Sequence, residues 1–187
     1  MKKLILMLAL LLALTGCGQK AEAPAAEDRN PTAAELGREE TTELVFTVEG
    51  EAEVIPATLY VGQGYSIYIP DEGWRLEQHV DDGIPEETWE SVLNDDVELT
   101  VAHYAGKTLT EARDAFVRDK DYMFEDLMGG ELGDPLTGAD EDGDCLSFMM
   151  AEGADTVYVI YWKYPAEAAE GFGARLGVMA DTFQAME

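Results

Sequence analysis

Asp140-Glu141-Asp142-Gly143-Asp144 sets four carboxylates in five positions, the density of oxygen ligands that a hard cation such as Ca²⁺ needs. Taken as an EF-hand loop beginning at Asp140, the segment fails. Gly143 falls at the fourth place instead of the sixth, and Ala151 stands where the bidentate glutamate belongs. Asp142-Gly143 ahead of an alternating stretch fits a solvated turn better. Asp81-Asp82-Gly83 and Asp95-Asp96 are smaller clusters of the same kind, and no metal site is assigned. The two histidines are His79 and His103. His103 continues the Val97-Leu99-Val101 face, which puts it at a strand end on the core margin, and no partner for His79 follows from spacing. Gly64-Tyr65-Ser66-Ile67-Tyr68 approaches a Gly-x-Ser-x-Gly nucleophile elbow but lacks its last glycine. The phosphate-binding loop, the dinucleotide fingerprint and the His-Glu-x-x-His zinc motif are absent from the sequence. No catalytic residue is assigned and no cofactor is expected.

Leu14-Thr15-Gly16-Cys17 closes an apolar run that follows Lys2 and Lys3. A charged start, an apolar stretch from Leu4 to Leu14 and small residues before a cysteine have the layout of an export signal. At about eleven residues the apolar stretch is shorter than the roughly 20 that span a bilayer as a helix. The pattern resembles the lipobox of bacterial lipoproteins. That resemblance implies a thioether-linked diacylglycerol on Cys17, cleavage before it and, in some bacteria, acylation of the new N-terminus with a chain such as palmitate. The alternative is an ordinary secretory peptide that happens to end in cysteine. The division expected is a signal peptide over 1–16, a lipidated cysteine and flexible acidic tether over 17–42, and one globular domain over 43–187. The location implied is the extracytoplasmic face of a bacterial cell membrane, held there by lipid.

The chain has 187 residues and a formal charge of −27. Residues 43–187 hold 33 acidic and 7 basic side chains. Nucleic-acid binding needs a basic footprint and is excluded on this balance. Docking on anionic lipid by charge is disfavoured too, while two acyl chains, at about 0.8 kcal/mol per buried CH₂, need no such help. With Cys17 lipidated, Cys145 has no disulfide partner within the chain. It sits in Asp144-Cys145-Leu146-Ser147-Phe148 with no basic neighbour to activate it, and reads as a buried, inert thiol.

Gly18 to Thr42 is rich in Ala, Glu, Pro and Thr, with Leu36 as its one large apolar residue, the composition of a tether. From Glu43 the period is two: Leu44, Phe46 and Val48, then Ile55 to Val61, then Tyr65, Ile67 and Ile69 after the Gly62-Gln63-Gly64 turn. Trp74 to Glu77 opens another strand, Asp81 to Glu90 reads as an acidic loop, and Val97 to Val101 alternates again. Thr108 caps a helix, with Glu111 three residues on and Leu109, Ala112, Phe116 and Met123 at helical spacing. Gly129-Gly130 ends that segment, and Gly133 to Asp144 reads as loop. Leu146 to Met150 alternates, and Val157 to Tyr164 is apolar on both faces, the mark of a central strand. Ala169, Phe172, Leu176, Met179, Phe183 and Met186 form one face of a C-terminal amphipathic helix, with Gly171, Gly173 and Gly177 permitting close approach.

Strands, a helix, a hairpin and a closing helix make an α+β fold, a mainly antiparallel sheet packed by an internal helix and a C-terminal amphipathic helix. That order, the Tyr65-Ser66-Ile67-Tyr68-Ile69-Pro70…Trp74 opening, the helix near Thr110 and the final hairpin and helix resemble the PsbP-like α/β/α sandwich. The resemblance covers most of residues 50–187. It implies a binding module, because that group carries no shared catalytic residues and its better-known members bind other proteins. Tyr65, Tyr68, Trp74, Trp89, Trp162 and Tyr164 are then either core or a recognition surface. The function expected is that of a lipid-anchored binding or accessory protein with an envelope protein as partner. The alternative is a cell-envelope enzyme or a Ca-binding module using the acidic loops.

Overall fold

Alternating residues become strands wherever one face is covered, and the computed structural model describes the outcome for residues 29–48, 50–120, 123–124 and 135–186. The signal segment, Cys17 and Gly129-Gly130 lie outside the described residues. Along the chain run β1 (Thr41–Val48), β2 (Glu51–Gly62), β3 (Tyr65–Pro70), β4 (Trp74–Asp81), β5 (Ile84–Ser91) and β6 (Glu98–Ala105). Helix α1 (Leu109–Asp119) precedes β7 (Met123–Phe124), β8 (Leu136–Ala139), β9 (Cys145–Glu152) and β10 (Thr156–Tyr164). Helix α2 (Ala174–Ala180) and β11 (Gln184–Ala185) follow. The strands form two antiparallel sheets, ordered β1-β2-β3-β11 and β4-β5-β6-β10-β9-β8-β7. The fold is α+β and mostly antiparallel.

Both faces of the larger sheet are covered. On one face the smaller sheet and α2 bury Phe46, Ile67, Leu99, Ile160, Leu176 and Met179 in a common core. On the other, α1 lays Ala112 and Phe116 against Phe148, Val159 and Tyr161. Strand β10 is the fourth of seven, which is why its residues are apolar on both sides. Helix α1 starts where the sequence says it should. Glu111 N–H donates to Thr108 Oγ1 at 3.3 Å and Thr108 N–H to the Glu111 carboxylate at 2.9 Å, closing a capping box.

Four expectations about strands and helices are corrected. Asp81 to Glu90 is no loop. It is a hairpin between β4 and β5 turned at Asp82-Gly83, whose φ of 45° and 85° match the two left-handed positions of a type I′ turn. Met123 leaves the helix, which ends at Asp119, and pairs with Ala139 in a short strand. Residues 136–139 are likewise strand and not loop. The C-terminal helix is broken into a 3₁₀ turn at Ala166–Ala168, a π turn at Ala169–Gly173 and the seven residues of α2. Two glycines in the π segment weaken the regular helix, and Phe183 is buried after the chain has left it. Close approach is real at Gly173, where an added Cβ would lie 3.0 Å from the Tyr164 ring, but space at Gly177 is open.

The segment expected to be flexible as far as Thr42 is held against the domain from about Asn30. Asn30 donates to the Val61 carbonyl at 2.8 Å, and Ala33 is buried. Arg38 donates to Ser66 Oγ and to the Thr182 carbonyl, both at 2.8 Å, and its guanidinium lies 4.5 Å from the Tyr68 ring centroid. A guanidinium with two such acceptors and an aromatic face is worth about 2 kcal/mol. Arg38→Ala should therefore lower the unfolding free energy in urea by about 2 kcal/mol. An unchanged midpoint would return these residues to the tether.

Candidate functional site

Adjacent residues of a strand face opposite ways, and on β5 this sends Glu86 and Glu87 to opposite sides of the larger sheet. Both are buried. Glu86 accepts from the Tyr161 hydroxyl at 3.0 Å on the α1 side, and His79 Nε2 lies 3.1 Å from the same carboxylate oxygen. His79 thus has a partner after all, across the β4–β5 ladder, where the two residues are paired.

Glu87 faces the core between the sheets and gathers donors from three strands. The hydroxyls of Tyr60 (2.7 Å) and Tyr65 and the Gln78 amide (2.6 Å) all donate to it, and His103 Nε2 stands 3.6 Å from Oε2. Tyr65 stacks on Phe183 at 5.1 Å and meets the edge of the His103 ring at 5.6 Å. Burial pushes the Glu87 carboxyl up, but the facing His103 imidazole, the two tyrosines and Gln78 outweigh it and bring the carboxyl down to about 2. The same burial, together with the Glu87 charge, pushes the Tyr65 and Tyr60 phenols well above their usual range. The cluster therefore holds one carboxylate and two neutral phenols. His103 Nε2 is buried and makes no direct hydrogen bond. His103 sits at the core margin, as the alternation indicates. Its pairing with Glu87 was not legible, because the two lie on different strands.

Two hollows flank this core at opposite ends of β3 and β5. One is a groove of about 210 Å³ lined by Phe46, Ile55, Pro70, Trp74, Leu93 and Phe172, among others, with Glu53, Glu72 and Arg175 at its edge. Leu93 is 83% exposed and its neighbour Val92 61%. Arg175 is engaged by Glu53 and lies 6.0 Å from the Phe172 ring centroid. The other is a wider cleft of about 420 Å³ whose wall includes His103.

The remaining candidates stay apart from these. Asp140 Oδ1 accepts from the backbone N–H of Asp142 (3.0 Å) and of Asp144 (2.9 Å), and Gly143 has a φ of 89°, the geometry of a turn. Asp144 faces Lys163 at 3.8 Å. Among the described residues, no group of three or more His, Cys, Asp or Glu side chains is placed to hold a metal. Cys145 is half-buried, with its Sγ 3.9 Å from the Gly143 carbonyl, so it is less enclosed than expected. Of the aromatics, Tyr65, Tyr68, Trp89, Trp162 and Tyr164 are core, and Trp74 lines the groove.

What the described residues define is an α+β domain in which two hollows flank a core that holds the buried Glu87 cluster. No protein-family model and no curated protein sequence matches the chain. Solved structures do. The cyanobacterial PsbP protein CyanoP of Synechocystis sp. PCC 6803 is 18% identical, with a TM-score of 0.49, over 69% of this chain and 92% of that one. A protein of Bacteroides thetaiotaomicron VPI-5482 is 10% identical, with a TM-score of 0.43, over 69% of this chain and 48% of its own. A PsbP protein is thus among the structural neighbours, at identities that carry no functional residue across.

Proposed function

We propose that this is a bacterial lipoprotein, attached through a diacylglyceryl group on Cys17 to the extracytoplasmic face of the membrane, and that it works as a binding or accessory protein for an envelope protein. The anchor rests on the Leu14-Thr15-Gly16-Cys17 pattern after its short apolar run. The binding role rests on the groove beside Trp74. A large apolar side chain left in solvent at the mouth of an apolar hollow marks an interaction surface, and Leu93 is such a residue. At the groove edge Glu53 is paired with Arg175 and Glu72 is left, on a strongly acidic chain, so the complementary partner segment is an aliphatic side chain next to a basic one.

The test is a photoreactive residue at position 93 in the full chain, expressed in its own membrane. One discrete cross-linked protein is expected, lost on Trp74→Ala and absent when the label is moved to the exposed position 51. Cys17→Ser should abolish acyl labelling, and with it both membrane retention and the cross-link. Acyl labelling that survives in Cys17→Ser would sink the anchor. A cross-link equally strong from position 51 would sink the groove.

A further inference from the structure

Strand β4 lies at one end of the larger sheet and, among the described residues, has a partner strand on one side only. Every residue of it after Trp74 is exposed. We propose that two copies of this chain join edge to edge along β4, antiparallel, about a twofold axis at Gln78. This reading is independent of the anchor and of the groove beside Trp74.

The backbone shows which groups are free to pair. The Gly73 carbonyl accepts from Val92 N–H at 2.9 Å, and Asp81 and Ile84 flank the two-residue turn as partners. In an antiparallel ladder hydrogen-bonded and non-bonded pairs alternate. The odd-numbered residues of β4 therefore direct their N–H and C=O groups at β5. Leu76, Gln78 and Val80 point theirs outward. With Gln78 opposite its own copy, Leu76 falls opposite Val80, and these three positions exchange about six backbone hydrogen bonds.

The side chains fit that register on both faces. On the α1 face Arg75 comes opposite Asp81, and Glu77 comes opposite His79, so no like charges meet. On the other face Leu76, 38% exposed, meets Val80, 67% exposed, and each covers the other from water. Sliding the copies one step either way sets Glu77 against itself or against Asp81, and like charges directly opposite destabilise a strand pair. Arg75 already touches Glu77 and Glu90, and Asp81 lies 3.8 Å from Lys120, but both side chains remain exposed enough for a further partner.

Strand edges left in solvent are usually blunted by a proline, a lysine or a bulge. Strand β4 has neither proline nor lysine, and its pairing with β5 runs unbroken over eight residues. Against association stands the formal charge of −27 on each copy. At 0.15 M salt, charges more than about 8 Å apart are largely screened.

Single cysteines in the full-length chain carrying Cys145→Ser test this. The protein is oxidised at about 0.1 mM in about 0.15 M NaCl, with linkages read from the masses of the joined peptides. Opposed residues stand about 4.5–5.5 Å apart between Cα atoms, within disulfide reach. Gln78→Cys should link to its own copy. Glu77→Cys and His79→Cys should each link poorly alone and readily when mixed. Val80→Pro removes an outward N–H, leaves the ladder to β5 intact, and should reduce the Gln78→Cys link about tenfold. Asp81→Arg should weaken that link several-fold, and Arg75→Asp beside it should restore it, which serves the same purpose should Val80→Pro fail to fold. No link from Gln78→Cys, a link as strong from a cysteine at position 51, Glu77→Cys linking alone as well as in the mixture, or position 78 joined to a different protein would each overturn the proposal.

Discussion

Glu87→Ala should lower the unfolding free energy by about 3–5 kcal/mol in urea at neutral pH, the range seen when one partner of a buried polar network is removed. The cause is what the mutation leaves behind. The Tyr60 and Tyr65 hydroxyls and the Gln78 amide lose the acceptor they share, and Tyr65, fully buried, cannot turn to water instead. Glu87→Gln keeps one acceptor oxygen and should cost less than Glu87→Ala. The pH profile gives a second reading of the same group. Its carboxyl falls from the ordinary 4.5 to about 2 in the folded protein, so between those values the unfolded chain binds the extra proton. The stability Glu87 contributes is complete above about 4.5 and is lost as the pH falls towards about 2. Glu87→Gln should flatten that acid limb. A variant whose acid unfolding follows the wild type would show that Glu87 is not ionised in the core.

Phe116→Ala should cost about 3–5 kcal/mol, the usual range for removing a buried phenylalanine. Phe116 is fully buried and is the ring by which α1 grips the larger sheet, 4.9 Å from Phe148 and 5.2 Å from Tyr161 between centroids. The loss should appear as a lower urea midpoint, and α1 amides should exchange faster than those of β10. If instead α1 keeps its protection, the helix is held by its cap and not by this contact.

Elements whose determinants are local were legible. Thr108 and Glu111 lie three residues apart and cap α1 as written. Strand β10 announces its central place by being apolar on both faces. Determinants that are distant in the chain stayed hidden. Glu86 and Glu87 look like solvated loop because their partners, Tyr161, Tyr60 and Tyr65, lie 75, 27 and 22 residues away. The available signal was Asp82-Gly83, a two-residue hairpin turn that the surrounding acidic residues obscured. Arg38 was unreadable for the same reason, since its acceptors are 28 and 144 residues distant. The C-terminal helix was overextended because an apolar period continues to Phe183 after the backbone has turned away at Asp181.

Arg38 does more than tie down its own segment. Thr182 and Ser66 are both its acceptors, and Ser66 is also the residue opposite Gln184 in β11. The path into the domain and the path out of it therefore run side by side over one buried serine. Entry and exit paths that lie together are what circular permutation needs. Fusing the segment after β11 to the residues before Arg38 through a short linker, and cutting instead at Asp82-Gly83, would leave both sheets with every strand pair they now have. The order of the strands in space, and not their order along the chain, is what the two cores need.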